Sequence, residues 1–324
     1  MINKLALGYE NIVLRHNKGI VNSRSECDIS ILFGEKRLSS PVICSNMPYI
    51  QKNSILETFN KRKWGYIYHR MGGMDDILSF VRKINDEDWY FKCISVGIKG
   101  SDKEILIEIN KQGYKLDCLV IDVAFIYNLK ALEFVKFARQ LFPKVYLVAG
   151  NFDSPTCAIE LANIGVNCGK FGIGVSKKCA TRPRTAFGTS IISDLIECVE
   201  KTGKTIDYLV DGGLETLDNG DIAIGDVFKA LNFGGKACLS ASLFQKVTEL
   251  ADGNGNILCY GNSTARAKKF DRHDEGFEFL VKTNGKTLEE QMNLIEDSLK
   301  SSCSYAGIRS IEDAAGSCDY RIVL

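Results

Sequence analysis

The chain of 324 residues is long enough to bury a large core, either as one α/β barrel or as two smaller domains. Its formal net charge of +1 argues against a dedicated nucleic-acid-binding protein, which normally carries a strongly basic face. No apolar run reaches the roughly 18 residues that a membrane-spanning helix needs, and the first residues lack the pattern of a secretory signal peptide.

Eight short apolar runs predict β-strands, and most are continuous, as in parallel strands that are buried on both faces. They are Pro41–Cys44, Gly65–His69, Phe91–Val96, Cys118–Val123, Val145–Ala149, Cys168–Ile173, Tyr208–Asp211 and Lys236–Ala241. Amphipathic segments between them predict helices at Ile55–Arg62, Asp75–Ile84, Asp102–Gln112, Leu129–Leu141, Thr156–Ile164, Thr189–Thr202 and Ile224–Phe233.

This alternation predicts a single α/β domain, a (β/α)₈ TIM barrel over residues 41–251. An open doubly wound sheet is the main alternative, although no Gly-x-Gly-x-x-Gly follows the first strand. Residues 1–40 are expected to form an N-terminal extension that covers the bottom or side of the barrel. Residues 252–324 are expected to form a flap over the catalytic face and a helix from Thr287 to about Ser301.

Polar residues that follow barrel strands are the first functional candidates, because barrel enzymes place catalytic groups there. Asp122 ends the fourth strand, with a solvated strand-end carboxylate as the alternative interpretation. Asn151 follows the fifth strand in a turn with Gly150, which is a weak signal. Asp211 and two glycines follow the seventh strand, where a sugar-binding carboxylate and a plain turn are about equally favoured.

The loop after the sixth strand carries Cys179 among basic residues Lys177, Lys178 and Arg182. Such a setting lowers a thiol's pKa and makes the thiolate a nucleophile. Glycines ahead of it allow backbone N–H groups to approach an anion such as a phosphate. The pattern predicts covalent chemistry on a phosphorylated substrate, with a bystander thiol as the alternative.

The polar turn Tyr260-Gly261-Asn262-Ser263-Thr264 and the charged pair Arg272 and Glu275 lie in the predicted flap. A flap carboxylate is able to act as a general acid or base. Composition alone favours the simpler interpretation, an ordinary exposed charged loop.

The twelve cysteines contain no C-x-x-C pair, so their spacing fits neither a disulfide framework nor a zinc site. Several lie inside apolar runs, where a free cysteine behaves as a small hydrophobe. Three histidines are too few for a multi-histidine metal site. This cysteine usage predicts a protein of the reducing cytoplasm.

Short motifs along nearly the whole chain match one known superfamily. They are Asn22-Ser23-Arg24-Ser25, Ser45-Asn46-Met47, Val148-Ala149-Gly150-Asn151, Gly172-Ile173-Gly174 with Cys179, Thr181-Arg182 and Thr185, Asp211-Gly212-Gly213 with Gly225-Asp226-Val227 and Lys229-Ala230, Tyr260-Gly261, and Tyr305-Ala306-Gly307. Through them the chain resembles the inosine-monophosphate (IMP) dehydrogenase and guanosine-monophosphate (GMP) reductase superfamily, from about Leu7 to Ser310.

Within that superfamily the resemblance favours the reductase. No long insert, such as the regulatory domain pair of most dehydrogenases, interrupts the barrel, and Arg272 with Glu275-Gly276 resembles the reductase flap. The resemblance implies NADPH-dependent conversion of GMP to IMP and ammonia, with NADH as a possible reductant. One alternative is NAD-dependent oxidation of IMP to xanthosine monophosphate. Another is a catalytically weak, nucleotide-binding relative.

The resemblance also implies roles for individual residues. Cys179 would attack C2 of the purine and form a thioimidate, while Thr181 and Glu275 would help to release ammonia. The implied nucleotide-binding residues are Lys177, Asp211, Gly212, Gly213, Ser240, Ala241, Tyr260, Gly261, Asn262, Ser263 and Arg272. The implied cofactor-binding residues are Asp122, Val123, Ala124 and Asn151, and a monovalent cation would bind at Gly174 and Ser176. A homotetramer is the expected assembly.

Several positions depart from the superfamily pattern. Val175-Ser176-Lys177 replaces proline–glycine–serine, Ser240-Ala241 replaces two glycines, and Phe125-Ile126 replaces asparagine–glycine. The flap between Tyr260 and Glu275 is also shorter. We therefore expect a divergent enzyme, of the kind found in phages or small parasites, whose pocket accepts a modified or deoxy purine nucleotide.

Overall fold

The computed structural model describes residues 5–175, 181–214, 223–262, 264–268 and 277–323. Its strands are β1 (Ile12–Leu14), β2 (Ile31–Phe33), β3 (Lys36–Leu38), β4 (Val42–Cys44), β5 (Gly65–Tyr66), β6 (Cys93–Val96), β7 (Cys118–Asp122), β8 (Tyr146–Phe152), β9 (Cys168–Phe171), β10 (Asp207–Asp211), β11 (Ala237–Ser240), β12 (Asn256–Tyr260), β13 (Glu278–Lys282) and β14 (Tyr320–Ile322). Its α-helices are α1 (Asn53–Lys61), α2 (Met74–Asp86), α3 (Gly100–Lys111), α4 (Leu129–Leu141), α5 (Pro155–Ile164), α6 (Thr181–Thr185), α7 (Ile191–Thr202), α8 (Gly225–Asn232), α9 (Ala265–Lys268) and α10 (Leu288–Ala306).

Eight strands form one parallel sheet in the order β5-β4-β11-β10-β9-β8-β7-β6. The two ends of this order meet through a parallel bridge between Tyr68 and Ile94. The sheet is therefore a nearly closed barrel surrounded by helices. This confirms the predicted (β/α)₈ fold, and the alternative of an open doubly wound sheet is wrong.

The barrel strands coincide with the eight predicted runs, but some ends differ. The strand β8 continues to Phe152, beyond the predicted end at Ala149, because Phe152 still pairs with Phe171 of β9 after a register shift. Asn151 consequently lies within a strand and not in a following turn. Every residue of β4, β6, β7, β9 and β11 is buried, as expected for parallel strands covered by helices.

The segments outside the barrel form small antiparallel pairs. The β2–β3 hairpin places Phe33 against Tyr146, with ring centroids 4.7 Å apart, and so covers the N-terminal end of the barrel. The strand β1 pairs with β14, which joins the two ends of the chain. The β12–β13 hairpin occupies the predicted flap region, where sequence reasoning did not predict strands.

The helix α10 packs against the side of the barrel and ends at Ala306, beyond the predicted end near Ser301. Glu296 in this helix accepts hydrogen bonds from Arg62 over 2.7 Å and from the indole N–H of Trp64 over 3.2 Å. These contacts fix the helix beside the residues between α1 and β5. Among the described residues, no helix has both the length and the apolar character that crossing a membrane requires.

Replacing Thr287 by Ala should destabilise the start of α10. The Thr287 side chain accepts from the Glu290 backbone N–H, and the Glu290 carboxylate accepts from the Thr287 N–H over 2.8 Å. We expect the variant to lower the free energy of unfolding by about 1 kcal/mol, measured by urea denaturation. As a control, Ser298→Ala, which removes a hydroxyl in the middle of the same helix, should stay within about 0.5 kcal/mol of wild type. Equal midpoints for wild type and Thr287→Ala would contradict the capping role.

Candidate active site

Four polar side chains meet at the C-terminal ends of the neighbouring strands β7, β8, β9 and β10. The Nζ atom of Lys170 lies 2.8 Å from Asp122 Oδ1 and 2.8 Å from Asp211 Oδ2. The same atom lies 2.8 Å from Asn151 Oδ1. The Lys170 side chain is only 6% exposed. The structure thus brings together three residues that the sequence predicted for the site, through a lysine that it did not single out.

The carboxylate of Asp122 also contacts a second cation. Arg70, in the loop after β5, donates from Nε to Asp122 Oδ2 over 3.2 Å. Burial alone would raise the pKa of the Asp122 carboxyl, but the positive charges of Lys170 and Arg70 outweigh it and hold the pKa well below its ordinary value. Asp122 is therefore a buried, ionised and fixed carboxylate. The alternative of a solvated strand-end aspartate is wrong.

The ammonium group of Lys170 remains charged although it is buried. Burial alone would lower its pKa, but the carboxylates of Asp122 and Asp211 raise the pKa above the ordinary value for lysine. Lysine is almost never fully buried unless it is paired. The signal that would have found this residue is therefore its place inside the apolar run Cys168–Ile173.

Asn151 connects the strand end of β10 to the loop that follows β9. Its Nδ2 donates to Asp211 Oδ2 over 2.8 Å and to the Gly172 carbonyl over 2.6 Å. Gly172 has a φ of +121°, and a Cβ atom there would lie 2.7 Å from the Asp211 carbonyl oxygen. The loop therefore leaves β9 close against β10, a path that favours glycine.

The predicted nucleophile Cys179 lies outside the described residues, as do Ser176 and Lys177. The two ends of the loop that contains them are described. The Ile173 N–H donates to Thr189 Oγ1 over 2.6 Å, and the Thr189 N–H donates back to the Ile173 carbonyl over 2.8 Å. These bonds hold the base of the loop at the end of β9. Thr181 is the one predicted catalytic residue that the structure describes, and it begins the short helix α6 on the return path.

The return path of the cysteine loop meets the β12–β13 hairpin. The guanidinium carbon of Arg184 lies 6.0 Å from the ring centroid of Phe277, the residue directly before β13. Arg272 and Glu275 lie outside the described residues, and Glu275 is two positions before Phe277 in the chain. The structure thus places the described neighbours of Glu275 beside the described neighbours of Cys179.

The other end of the hairpin lies against the loop after β4. Asn262 donates from Nδ2 to the Asn46 carbonyl over 3.1 Å. The ring of Tyr260 lies 5.6 Å from that of Tyr49, between centroids. Gly261 joins Tyr260 to Asn262 at this contact, and Ser263 lies outside the described residues.

Four of the residues predicted to bind the nucleotide lie at the C-terminal ends of two neighbouring strands, β10 and β11. They are Gly212, Gly213, Ser240 and Ala241. Ser240 is buried, and its hydroxyl accepts from the Leu243 N–H over 3.1 Å. Ser242 donates from Oγ to the Leu214 carbonyl over 2.6 Å, which ties the two loops together. The positive φ values of Gly212 and Gly213, +87° and +76°, favour glycine at both positions.

The cofactor side predicted from the sequence lies at the end of β7. The Val123 N–H donates to the Gly150 carbonyl over 2.8 Å, and the Asn151 N–H donates to the Val123 carbonyl over 2.7 Å. Beyond them Ala124 is exposed and the Phe125 side chain is 51% exposed. The half-exposed Phe125 side chain offers apolar surface beside a fixed strand end, which a planar ring such as nicotinamide is able to contact. The residues present therefore fit the implied cofactor.

Gly174, predicted to bind a monovalent cation, has a φ of +62° at the start of the cysteine loop. Its predicted partner Ser176 lies outside the described residues. Within the described ranges, no group of three or more His, Cys, Asp or Glu side chains is arranged to hold a metal ion.

Comparison with known proteins gives one consistent result. A family model described as the IMP dehydrogenase / GMP reductase domain matches residues 6–321. The chain is 33% identical over 323 residues to a GMP reductase of Helicobacter pylori (strain G27), covering 97% of this chain and 95% of that protein. It is 31% identical, with the same coverage, to GMP reductases of Staphylococcus carnosus and Enterococcus faecalis. The similarity extends over almost the whole of each chain.

Replacing Gly172 by Ala should strain the start of the cysteine loop. The added Cβ would meet the backbone of Asp211 in a conformation that L-residues rarely adopt. We expect the free energy of unfolding to fall by about 1–3 kcal/mol, measured by urea denaturation. The control Gly253→Ala adds a Cβ into open space in an exposed turn and should unfold like wild type. A Gly172→Ala variant as stable as the control would contradict the close approach of the loop to β10.

Proposed function

The chain belongs to the IMP dehydrogenase / GMP reductase family, and we propose that it is an NADPH-dependent reductase of GMP or a closely related purine nucleotide, which releases ammonia and forms IMP or its counterpart. The observation that carries the proposal is the cluster of Asp122, Lys170 and Asp211 at the barrel's C-terminal face. It joins the strand end predicted for the cofactor to the strand end predicted for the nucleotide. The similarity to proteins named GMP reductase supports the reductase direction.

Covalent chemistry at Cys179 is the first part of the proposed mechanism. The thiolate attacks C2 of the guanine ring, and the exocyclic amine leaves as ammonia after proton transfer assisted by Thr181 and Glu275. A C–S bond then holds the base as a thioimidate, which splits one difficult substitution into two steps. The basic residues Lys177 and Arg182 favour the thiolate form. The contact between Arg184 and Phe277 supports this arrangement, because it links the two segments that carry Cys179 and Glu275.

Nucleotide binding in this proposal uses the strand ends of β10 and β11. Asp211 accepts hydrogen bonds from the ribose hydroxyls, and its side chain is 23% exposed while Lys170 and Asn151 hold one of its oxygens. The predicted phosphate contacts are Gly212, Gly213, Ser240, Ala241, Tyr260 and Lys177. The predicted base contacts are Asn262, Ser263 and Arg272, with Gly261 in the same turn.

Cofactor binding in this proposal uses Asp122, Val123, Ala124 and Asn151. NADPH, when bound, supplies the hydride that reduces C2 as the C–S bond breaks. Asp122 acts here through its fixed position, because both of its oxygens already accept hydrogen bonds from cations. The half-exposed ring of Phe125 offers a surface on which a planar ring is able to stack.

The remaining parts of the proposal concern the assembly and the surroundings. We propose a homotetramer, a cytoplasmic location and a monovalent cation near Gly174 and Ser176. Every cysteine that the structure describes is buried and outside any disulfide bond, which supports a reducing compartment.

The direction of the reaction is tested by incubating the purified protein with GMP and NADPH, or with IMP and NAD. The reductase proposal predicts loss of reduced-nicotinamide absorbance with GMP and equimolar release of ammonia. NAD reduction with IMP, and no ammonia from GMP, would instead identify a dehydrogenase. Saturable nucleotide binding without turnover in either mixture would identify a catalytically weak relative. Deoxy and modified guanine nucleotides, followed by mass spectrometry, define the preferred base and sugar.

Replacing Cys179 by Ala should abolish turnover and leave nucleotide binding intact, because the nucleophile is lost while the nucleotide contacts remain. We expect the rate to fall on the order of 10³-fold or more, measured by NADPH oxidation. The control Cys303→Ala changes a thiol on α10 whose pKa burial raises to about 12, and it should keep wild-type turnover. Wild-type turnover in Cys179→Ala would contradict the covalent mechanism.

A further inference from the structure

The ammonium group of Lys170 contacts three acceptors in the site. A lysine ammonium has three N–H donors. The three acceptors around Lys170, namely Asp122 Oδ1, Asn151 Oδ1 and Asp211 Oδ2, each lie 2.8 Å from Nζ. The donors and acceptors are therefore matched in number as well as in distance, and the side chain has little freedom to move away from any one of them.

The three acceptors come from three different strands and from both predicted halves of the site. Asp122 ends β7 on the cofactor side, and Asp211 ends β10 on the nucleotide side. Asn151 lies between them on β8 and also donates to Asp211 Oδ2. Lys170 lies on β9, between β8 and β10 in the sheet.

We infer that Lys170 is a positioning residue that couples nucleotide binding to cofactor binding, by fixing the carboxylates of Asp122 and Asp211 at one separation. The inference rests on the proposed function, since that function assigns the two carboxylates to the two ligands. A shift of either carboxylate pulls on the nitrogen that holds the other. A nucleotide whose ribose hydroxyls bind Asp211 therefore restricts the motion that remains to Lys170 and, through it, to Asp122, so the second ligand loses less conformational entropy when it binds.

The charges explain why a lysine is suited to this role. Asp122 has Arg70 as a second cation, whereas Asp211 receives from Lys170 and the neutral amide of Asn151. Removing the ammonium would leave two carboxylates near each other with one cation, which favours separation of the strand ends. An arginine would keep the charge, but its planar guanidinium cannot place one nitrogen on all three acceptors.

The test measures the affinity of the full-length protein for IMP with and without NADPH, a pair between which no hydride transfer occurs. Isothermal titration calorimetry of wild type should give tighter IMP binding with NADPH, by about 5- to 150-fold, as for typical coupled sites. Lys170→Met should bring this factor close to one and lower kcat for GMP roughly 10²-fold, the loss expected from a misplacement of about 1 Å. Lys170→Arg should recover part of both quantities and provides the measurement if Lys170→Met does not fold.

The matched control is Lys92→Met. Lys92 is also buried, with a side chain 8% exposed, and its Nζ lies 2.7 Å from Asp88 Oδ1. It directly precedes β6 and is therefore at the opposite, N-terminal end of the barrel strands. We expect this variant to lose thermal stability while keeping the wild-type coupling factor and kcat.

The outcomes separate the inference from the proposed function. The inference would be overturned if Lys170→Met or Lys170→Arg kept the wild-type coupling factor, or if wild type itself showed a factor of one. In either case, GMP reduction by wild type would still support the proposed function. A wild-type protein that binds neither IMP nor NADPH would overturn the proposed function, and the inference with it. A purely structural role for Lys170 would lower the melting temperature without changing the coupling factor.

Discussion

The buried ammonium group of Lys170 holds the C-terminal ends of β7, β8, β9 and β10 in a single arrangement. A lysine that is 6% exposed is compatible with a stable fold only when acceptors surround it. Its three acceptors lie on β7, β8 and β10, so the parallel ladder and the polar contacts must be satisfied together. The register of this part of the barrel and the geometry of the site therefore depend on the same atoms.

The segments that carry the proposed chemistry are loops, and the barrel holds their ends. Mutual backbone and side-chain bonds between Ile173 and Thr189 hold the base of the cysteine loop. The contact of Arg184 with Phe277 joins that loop to the β12–β13 hairpin, and Asn262 joins the hairpin to the loop after β4. A rigid barrel with connected loops is the usual way in which this class of fold places reactive groups.

The strands of the barrel were easier to predict from the sequence than the segments outside it, for physical reasons. The strands β4 and β7 are near-continuous apolar runs, a pattern that burial on both faces imposes, so the sequence predicts them directly. The hairpin strand β13 has no fully buried residue, and its apolar Leu280 is 67% exposed. Because an apolar residue stands at an exposed position, the sequence of β13 does not alternate between apolar and polar residues. Asn151 was expected in a turn because Gly150 precedes it, but pairing of Phe152 with β9 extends the strand past both.

By itself the sequence determined the barrel class, the family resemblance and the polar residues at strand ends, because apolar runs, helical periodicity and short motifs are local properties of a chain. Only the tertiary structure decided that Asp122 and Asp211 share one ammonium, that Arg70 is the second cation on Asp122, and that the chain ends pair as β1 and β14. Lys170 and Asp122 are 48 positions apart. Their pairing follows from burial at the same end of β9 and β7, which β8 separates in the sheet, and local sequence patterns carry no information about which distant charges meet there.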